Sequence, residues 1–158
     1  FNKITRELNW SAIEDNLVVN KNSADWDYCY IESLISEYVE KYCPELSDMF
    51  AKTYCVGYYG DIPVYVSERC DKSWRKECTE FEHSVKYEKI KDTYKSKCSD
   101  LTFSQQIAFV ADYGLTVANK LFDFISKVGI SDLHGSNIAF DNNNKIHLID
   151  YSGYCFCY

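Results

Sequence analysis

Three oxygen-bearing side chains lie close together near the end of this 158-residue chain. Asp132 and Asn137 belong to the run Asp-Leu-His-Gly-Ser-Asn, and Asp150 follows in Ile-His-Leu-Ile-Asp-Tyr. A carboxylate held beside a hydroxyl can accept its proton during phosphoryl transfer, and carboxylate and amide oxygens suit Mg²⁺. These residue types and spacings predict a site for phosphoryl transfer. Asp132 would be the proton acceptor, and Asn137 and Asp150 would be the metal ligands.

A β-hairpin is predicted to hold these residues in place. Residues 137–140 and 145–149 form its strands, and the run of asparagines at 142–144 forms its turn. In front of it, Thr102-Phe103-Ser104-Gln105 predicts a capping box, which begins one long apolar helix that ends at Gly129.

Hydrophobic periodicity predicts a helix and a second hairpin further upstream. Residues 25–42 carry apolar side chains at helical spacing, and Pro44 blocks continuation. The Tyr- and Val-rich segments 53–59 and 62–68 flank Gly60-Asp61, a favourable two-residue turn. The order of elements predicts an α+β fold with a small antiparallel sheet.

Composition limits the class of protein. The length fits a single domain spanning residues 1–158, and 46% hydrophobic residues can form a core. A net charge of −7 argues against electrostatic binding to nucleic acid. No apolar run is long enough to cross a membrane and no signal peptide is evident, so we expect a cytoplasmic protein without a membrane partner.

The eight cysteines have irregular spacings and no Cys-x-x-Cys pair. We expect buried thiols in preference to disulfides or a zinc site. A Cys-rich metal or structural protein is the weaker alternative.

With these motifs the chain resembles the protein-kinase-like superfamily. The run from Asp132 to Asn137 is similar to the catalytic loop of aminoglycoside- and choline-type phosphotransferases and of small kinase-like proteins of phages and prophages. Asp150, in an Ile-Asp-aromatic setting, is similar to the metal-binding Asp of that family. The resemblance implies a minimal kinase-like fold, with a small antiparallel sheet, an αC-like helix and a shortened helical lobe. It also implies an ATP- and Mg²⁺-dependent phosphotransferase with a protein partner or substrate.

The upstream residues are similar to the small lobe of a kinase. Phe1-Asn2-Lys3-Ile4 resembles the strand with the phosphate-contacting lysine, which implies that role for Lys3. The helix over residues 27–41 would supply the glutamate that pairs with it, Glu32, with Glu37 as the alternative. The strand over residues 62–68 would lead to the adenine hinge.

The resemblance also implies a division of the single domain. Residues 1–69 would be small-lobe-like, with the hinge at their end. Residues 70–100 form a charged insertion, predicted as a surface helix or mobile segment because a charge run is typical of a solvated face. Residues 101–158 would be the catalytic-loop lobe.

Several departures from the family pattern leave the activity open. No glycine-rich loop is present, since the first glycine is Gly57. Ser131 stands where protein kinases commonly have Arg, and Tyr151-Ser152 replaces the usual Phe-Gly pair. The alternative function is a catalytically inactive pseudokinase-type binding protein, for example a phage inhibitor of a host defence protein.

Two further interpretations concern side chains around the site. We interpret His134 as a packed, hydrogen-bonded residue in preference to a metal ligand. We interpret the 14 tyrosines as half-buried aromatics, whereas an exposed cluster would indicate a protein interface.

Overall fold

A computed structural model describes residues 28–153, which divide into two compact units. Among these residues, unit 1 comprises 28–47 and 52–67, and unit 2 comprises 48–51 and 68–153. The assignment of residues 1–69 to a small lobe, 70–100 to an insertion and 101–158 to a catalytic-loop lobe stays a prediction. The predicted strand at residues 1–4, with Lys3, lies outside the described residues.

Unit 1 contains the predicted helix and hairpin, and both are confirmed. Helix α1 is Tyr28–Tyr42, and a 3-10 helix, Pro44–Met49, follows it. Strands β1, Thr53–Tyr59, and β2, Ile62–Ser67, pair antiparallel. α1 packs against β1 and buries the apolar face that its periodicity predicts.

The hairpin in unit 1 carries an exposed apolar face. Tyr54 pairs with Val66 and Tyr59 pairs with Ile62, and paired residues project from the same side of a sheet. Together with Val64 these side chains form what we call the hairpin face, and all five are exposed. Tyr59 is 82% exposed, so the interpretation of the tyrosines as half-buried is wrong there.

Unit 2 combines four helices with a three-stranded antiparallel sheet, which confirms the α+β class. The helices are α2, Trp74–Glu82; α3, Val85–Lys91; α4, Phe103–Tyr113; and α5, Leu115–Val128. The strands are β3, Lys72–Ser73; β4, Ile138–Phe140; and β5, Ile146–Leu148, in the order β3-β4-β5.

The predicted capping box is confirmed at the start of α4. The Thr102 side chain accepts a hydrogen bond from Gln105 N, and Gln105 Oε1 accepts one from Thr102 N at 2.7 Å. The prediction of one long helix is wrong, because Gly114 adopts a φ of +82° and separates α4 from α5. α5 ends, as predicted, at the left-handed residue Gly129.

The charged segment 70–100 holds a short strand and two helices, of which α2 buries only Trp74 and α3 buries no residue. The expectation of a surface helix is therefore confirmed for this segment, although the segment also contributes to the core. Trp74 is buried, and its ring stacks on Phe140 at 5.7 Å between centroids. Tyr94 and Cys98 are also buried. The charged segment 70–100 therefore contributes buried side chains to the core of unit 2.

The cysteines only partly follow the expectation of buried thiols. Cys98 is buried, but Cys29 and Cys55 are exposed, so the expectation is wrong for these two. Cys155 and Cys157 lie outside the described residues. Within residues 28–153, no group of three or more His, Cys, Asp or Glu side chains is arranged to hold a metal ion.

None of the helices between residues 28 and 153 is both long enough and apolar enough to cross a membrane.

Candidate functional site

The two predicted metal ligands flank the open end of the β4–β5 hairpin. Asn137 immediately precedes β4 and Asp150 lies just beyond β5. Ile149 N donates to Asn137 O at 2.9 Å, so the ladder continues one pair past the strands. Asn137 therefore lies opposite Ile149, the residue that precedes Asp150.

Asn137 also fixes the loop that carries Asp132. Its Nδ2 donates to Asp132 O at 2.8 Å, and its backbone N donates to His134 O at 2.9 Å. Asp132 has a φ of +60°, a left-handed conformation that is uncommon outside glycine, although Asp tolerates it better than most residues. The hydrogen bonds from Asn137 hold the loop in this conformation.

The segment after Asp150 lies directly against the Asp132 loop. Ser131 N donates to Gly153 O at 2.8 Å. A Cβ atom at Gly153 would lie 2.8 Å from Ser131 O and 3.0 Å from Asp132 Cβ, closer than real Cβ contacts come. Glycine is therefore required here so that the two segments can approach.

A buried tyrosine supports the same segment from within unit 2. Tyr151 is fully buried, and its hydroxyl donates to Ala51 O at 2.8 Å. Its ring packs edge-on against Phe50 at 5.1 Å between centroids. Ala51 N in turn donates to Leu148 O at 2.8 Å, which ties the residues behind the site to β5.

Two residues at the end of α4 hold the start of β5. Asp112 Oδ2 accepts a hydrogen bond from Ile146 N at 3.1 Å, and the Tyr113 hydroxyl donates to Ile146 O at 2.9 Å. Lys86 Nζ lies 2.8 Å from Asp112 Oδ1. Burial, reinforced by the Asp112 carboxylate, raises the pKa of Tyr113, so its hydroxyl remains a proton donor. Sequence reasoning missed both residues.

The three candidate side chains differ in their exposure to solvent. The Asp132 side chain is 69% exposed and Asp150 is also exposed, so both carboxylates can reach a ligand. Asn137 is buried, and with Nδ2 donating to Asp132 O, its Oδ1 is the atom left to coordinate. Mg²⁺ needs only one or two carboxylates from the protein when phosphates and waters complete its coordination.

His134 differs in part from its interpretation. It is hydrogen-bonded, since Nδ1 accepts from Ser136 N at 3.1 Å. It is not packed, because its side chain is 51% exposed, and Nε2 lies 3.9 Å from Asp132 Oδ1. The ring therefore borders the candidate base and is open to solvent.

The remaining candidates belong to unit 1 or lie outside the described residues. Glu32 is 7% exposed and accepts a hydrogen bond from Thr53 Oγ1 at 3.2 Å, whereas Glu37 is exposed. Of the two glutamates, Glu32 is thus the one turned into the fold. Because Lys3 is outside the described residues, its ion pair with Glu32 stays a prediction.

Comparison of the sequence with protein-family models and with curated proteins finds no match.

Proposed function

We propose that this protein is an atypical phosphotransferase of kinase-like fold that uses ATP and Mg²⁺. The observation that carries the proposal is a set of hydrogen bonds that joins three chain segments around the candidate site. Asn137 bonds the Asp132 loop through its side chain and the Asp150 strand through its backbone. Catalysis of phosphoryl transfer depends on positioning as well as electrostatics, and these hydrogen bonds support the positioning.

Each candidate residue then has a defined task. Asp132 accepts the proton of the substrate hydroxyl as it attacks the γ-phosphate. Asn137 Oδ1 and the Asp150 carboxylate would hold Mg²⁺, which neutralises charge on the phosphates. Lys3, paired with Glu32, would position the phosphates. Of the two candidate glutamates, Glu32 is the one turned into the fold, where Thr53 Oγ1 donates a hydrogen bond to it.

Nucleotide binding and chemistry can be tested separately. Mg-ATP at about 100 times its Kd should stabilise the protein by about 2.7 kcal/mol, which appears as a rise in Tm. Asp150→Ala should lose this rise. Asp132→Asn should keep it and lose phosphoryl transfer, measured as radiolabel from γ-labelled ATP. Asp141→Asn, at the turn end of the same hairpin, is the matched control and should keep both.

Two results would overturn the proposal. One is a wild-type protein whose Tm does not respond to millimolar Mg-ATP. The other is labelling that persists unchanged in Asp132→Asn.

The exposed hairpin face supports a second candidate, a pseudokinase-type protein that binds another protein. Tyr59 and Ile62 are 82% and 67% exposed at the tip of the hairpin, and contiguous exposed apolar side chains commonly mark a binding surface. A Tm response to Mg-ATP without label transfer, in wild type and Asp132→Asn alike, would favour this candidate.

A further inference from the structure

A cavity of about 420 Å³ lies in unit 2, apart from the residues of the candidate site. Ile90 from α3, Tyr94 from the following loop and Val110 from α4 form apolar walls, and Leu115 from α5 contributes a partly exposed side chain. The volume lies within the range of pockets that bind small organic molecules.

One wall of this cavity is held rigidly by a buried glutamine. Gln106 is fully buried, and its Oε1 accepts hydrogen bonds from Tyr94 OH at 2.7 Å and Lys97 N at 2.9 Å. Its Nε2 donates to Cys98 O at 2.7 Å. The loop over residues 94–98 is therefore fixed in place, and a ligand would not have to order it on binding.

Two exposed lysines lie among the residues that line the cavity. Lys95 and Lys97 both line it, and within residues 28–153 neither ammonium lies in a salt bridge. The chain as a whole carries a net charge of −7. Since charges act over about 10 Å at ordinary salt, these lysines favour an anion locally despite that net charge.

Asn119 from α5 adds a polar group with spare hydrogen-bonding capacity. Asn119 is one of the residues that line the cavity, and its buried Oδ1 has no donor within hydrogen-bonding distance among the described residues. A buried acceptor without a partner is unfavourable. Rotation of the carboxamide about χ2 lets this group meet a hydrogen-bond donor on a molecule in the cavity.

We propose that this cavity binds a small organic anion with an apolar body and one hydrogen-bond donor. The body occupies the space between Ile90, Tyr94 and Val110, the acidic group faces Lys95 and Lys97, and the donor pairs with Asn119. This site is independent of the phosphotransferase proposal, since it shares no residue with it.

The dye 8-anilino-1-naphthalenesulfonate is a suitable probe, because it combines aromatic rings, a sulfonate and one N–H group. Titration of the full chain, followed by dye fluorescence, should show one saturable site per chain. In a ¹H–¹⁵N spectrum of the wild type, the Asn119 side-chain amide signals should shift along the same binding curve.

Four variants locate the site. Thr93→Trp places an indole at an exposed lining position and should abolish saturable binding. Lys95→Glu/Lys97→Glu should weaken binding about tenfold, and more so at low salt. Asn119→Leu should weaken it by about 3- to 10-fold, as loss of one hydrogen bond does. Tyr59→Ser/Ile62→Ser, which removes the competing hairpin face, should leave the affinity unchanged.

The opposite pattern would overturn the proposal. Loss of binding in Tyr59→Ser/Ile62→Ser with retention in Thr93→Trp would place the dye on the hairpin. An unchanged affinity after reversal of both lysine charges would exclude anion recognition by the cavity. Circular dichroism of each variant checks that it is folded, and the Asn119 signals test the wild type without any substitution.

Discussion

The close approach of Gly153 to the Asp132 loop makes Gly153→Ala a direct test of the site geometry. The added methyl carbon would lie 2.8 Å from Ser131 O and 3.0 Å from Asp132 Cβ. Neither neighbour is the end of a flexible side chain, so the backbone itself must move. The hydrogen bond from Ser131 N to Gly153 O, now 2.8 Å, lies in the path of that movement.

Two opposing effects set the size of the change. Forcing an extra methyl into a packed site costs about 1–3 kcal/mol. Replacing glycine by alanine returns about 0.4–1 kcal/mol by restricting the unfolded chain. We therefore expect Gly153→Ala to lower the free energy of unfolding by about 1–2 kcal/mol, or roughly 2–8 °C in Tm.

Gly135→Ala is the matched control for this experiment, measured by urea unfolding with circular dichroism. A Cβ atom at Gly135 would meet Trp74 Cδ1 at 3.2 Å, which requires a smaller movement than the 2.8 Å contact at Gly153 and involves a side chain instead of the backbone. The control should therefore lower the free energy of unfolding by less than Gly153→Ala does. If both variants match the wild type in stability, residues 131–132 and 153 are not in close approach and the reasoning is refuted.

Three other predictions concern separate parts of the molecule. Thr102→Ala removes the acceptor for Gln105 N and should cost about 1 kcal/mol in urea unfolding; no change would show that the cap does not stabilise the fold. Burial raises the pKa of Asp141, but hydrogen bonds from backbone N–H groups of its own turn outweigh burial and hold this pKa below its usual value. The ionised Asp141 carboxylate therefore stabilises the fold above about pH 4, and this contribution is lost as the pH falls below that value. The difference in free energy of unfolding between wild type and Asp141→Asn should shrink on acidification, and a difference that grows would contradict the reasoning. Burial, with neighbouring carboxylates, raises the pKa of Cys70 to about 11, so iodoacetamide at pH 8 should modify Cys70 more slowly than exposed Cys55, as peptide mass spectrometry would measure.

Features that depend on neighbouring residues could be predicted from the sequence. The capping box needs only Thr102 and Gln105, and the unit 1 hairpin needs only the turn at Gly60-Asp61 between two Tyr- and Val-rich segments. The break at Gly114 could not be predicted in the same way. Apolar residues continue at helical spacing on both sides of it, and only the backbone φ of +82° separates the helices.

In the candidate site, too, features that depend on residues near in sequence could be predicted, and features that join distant residues could not. The spacing of Asp132 and Asn137 is visible in the sequence, and so is the position of Asp150. The supports of the site are not visible, because they join distant residues: Ile146 N with Asp112, 34 positions apart, and Tyr151 OH with Ala51 O, 100 positions apart. The sequence around such residues shows no pattern that links them, because only the tertiary fold brings them together.

The hydrogen bond between Tyr151 and Ala51 also has a consequence for the order in which parts of the protein fold. During synthesis, the Gln106 cluster can close as soon as residue 106 emerges, because its partners lie at most 12 positions away. The support behind Asp150 must wait for residue 151, and closing so long a loop carries a larger entropic cost. We therefore expect the helical part of unit 2 to form first and the candidate site last. Pulse-labelling hydrogen exchange would contradict this order if Ile149 N were protected before Phe109 N. A nascent or truncated chain could thus be compact and well ordered before it holds any of the chemistry proposed for it.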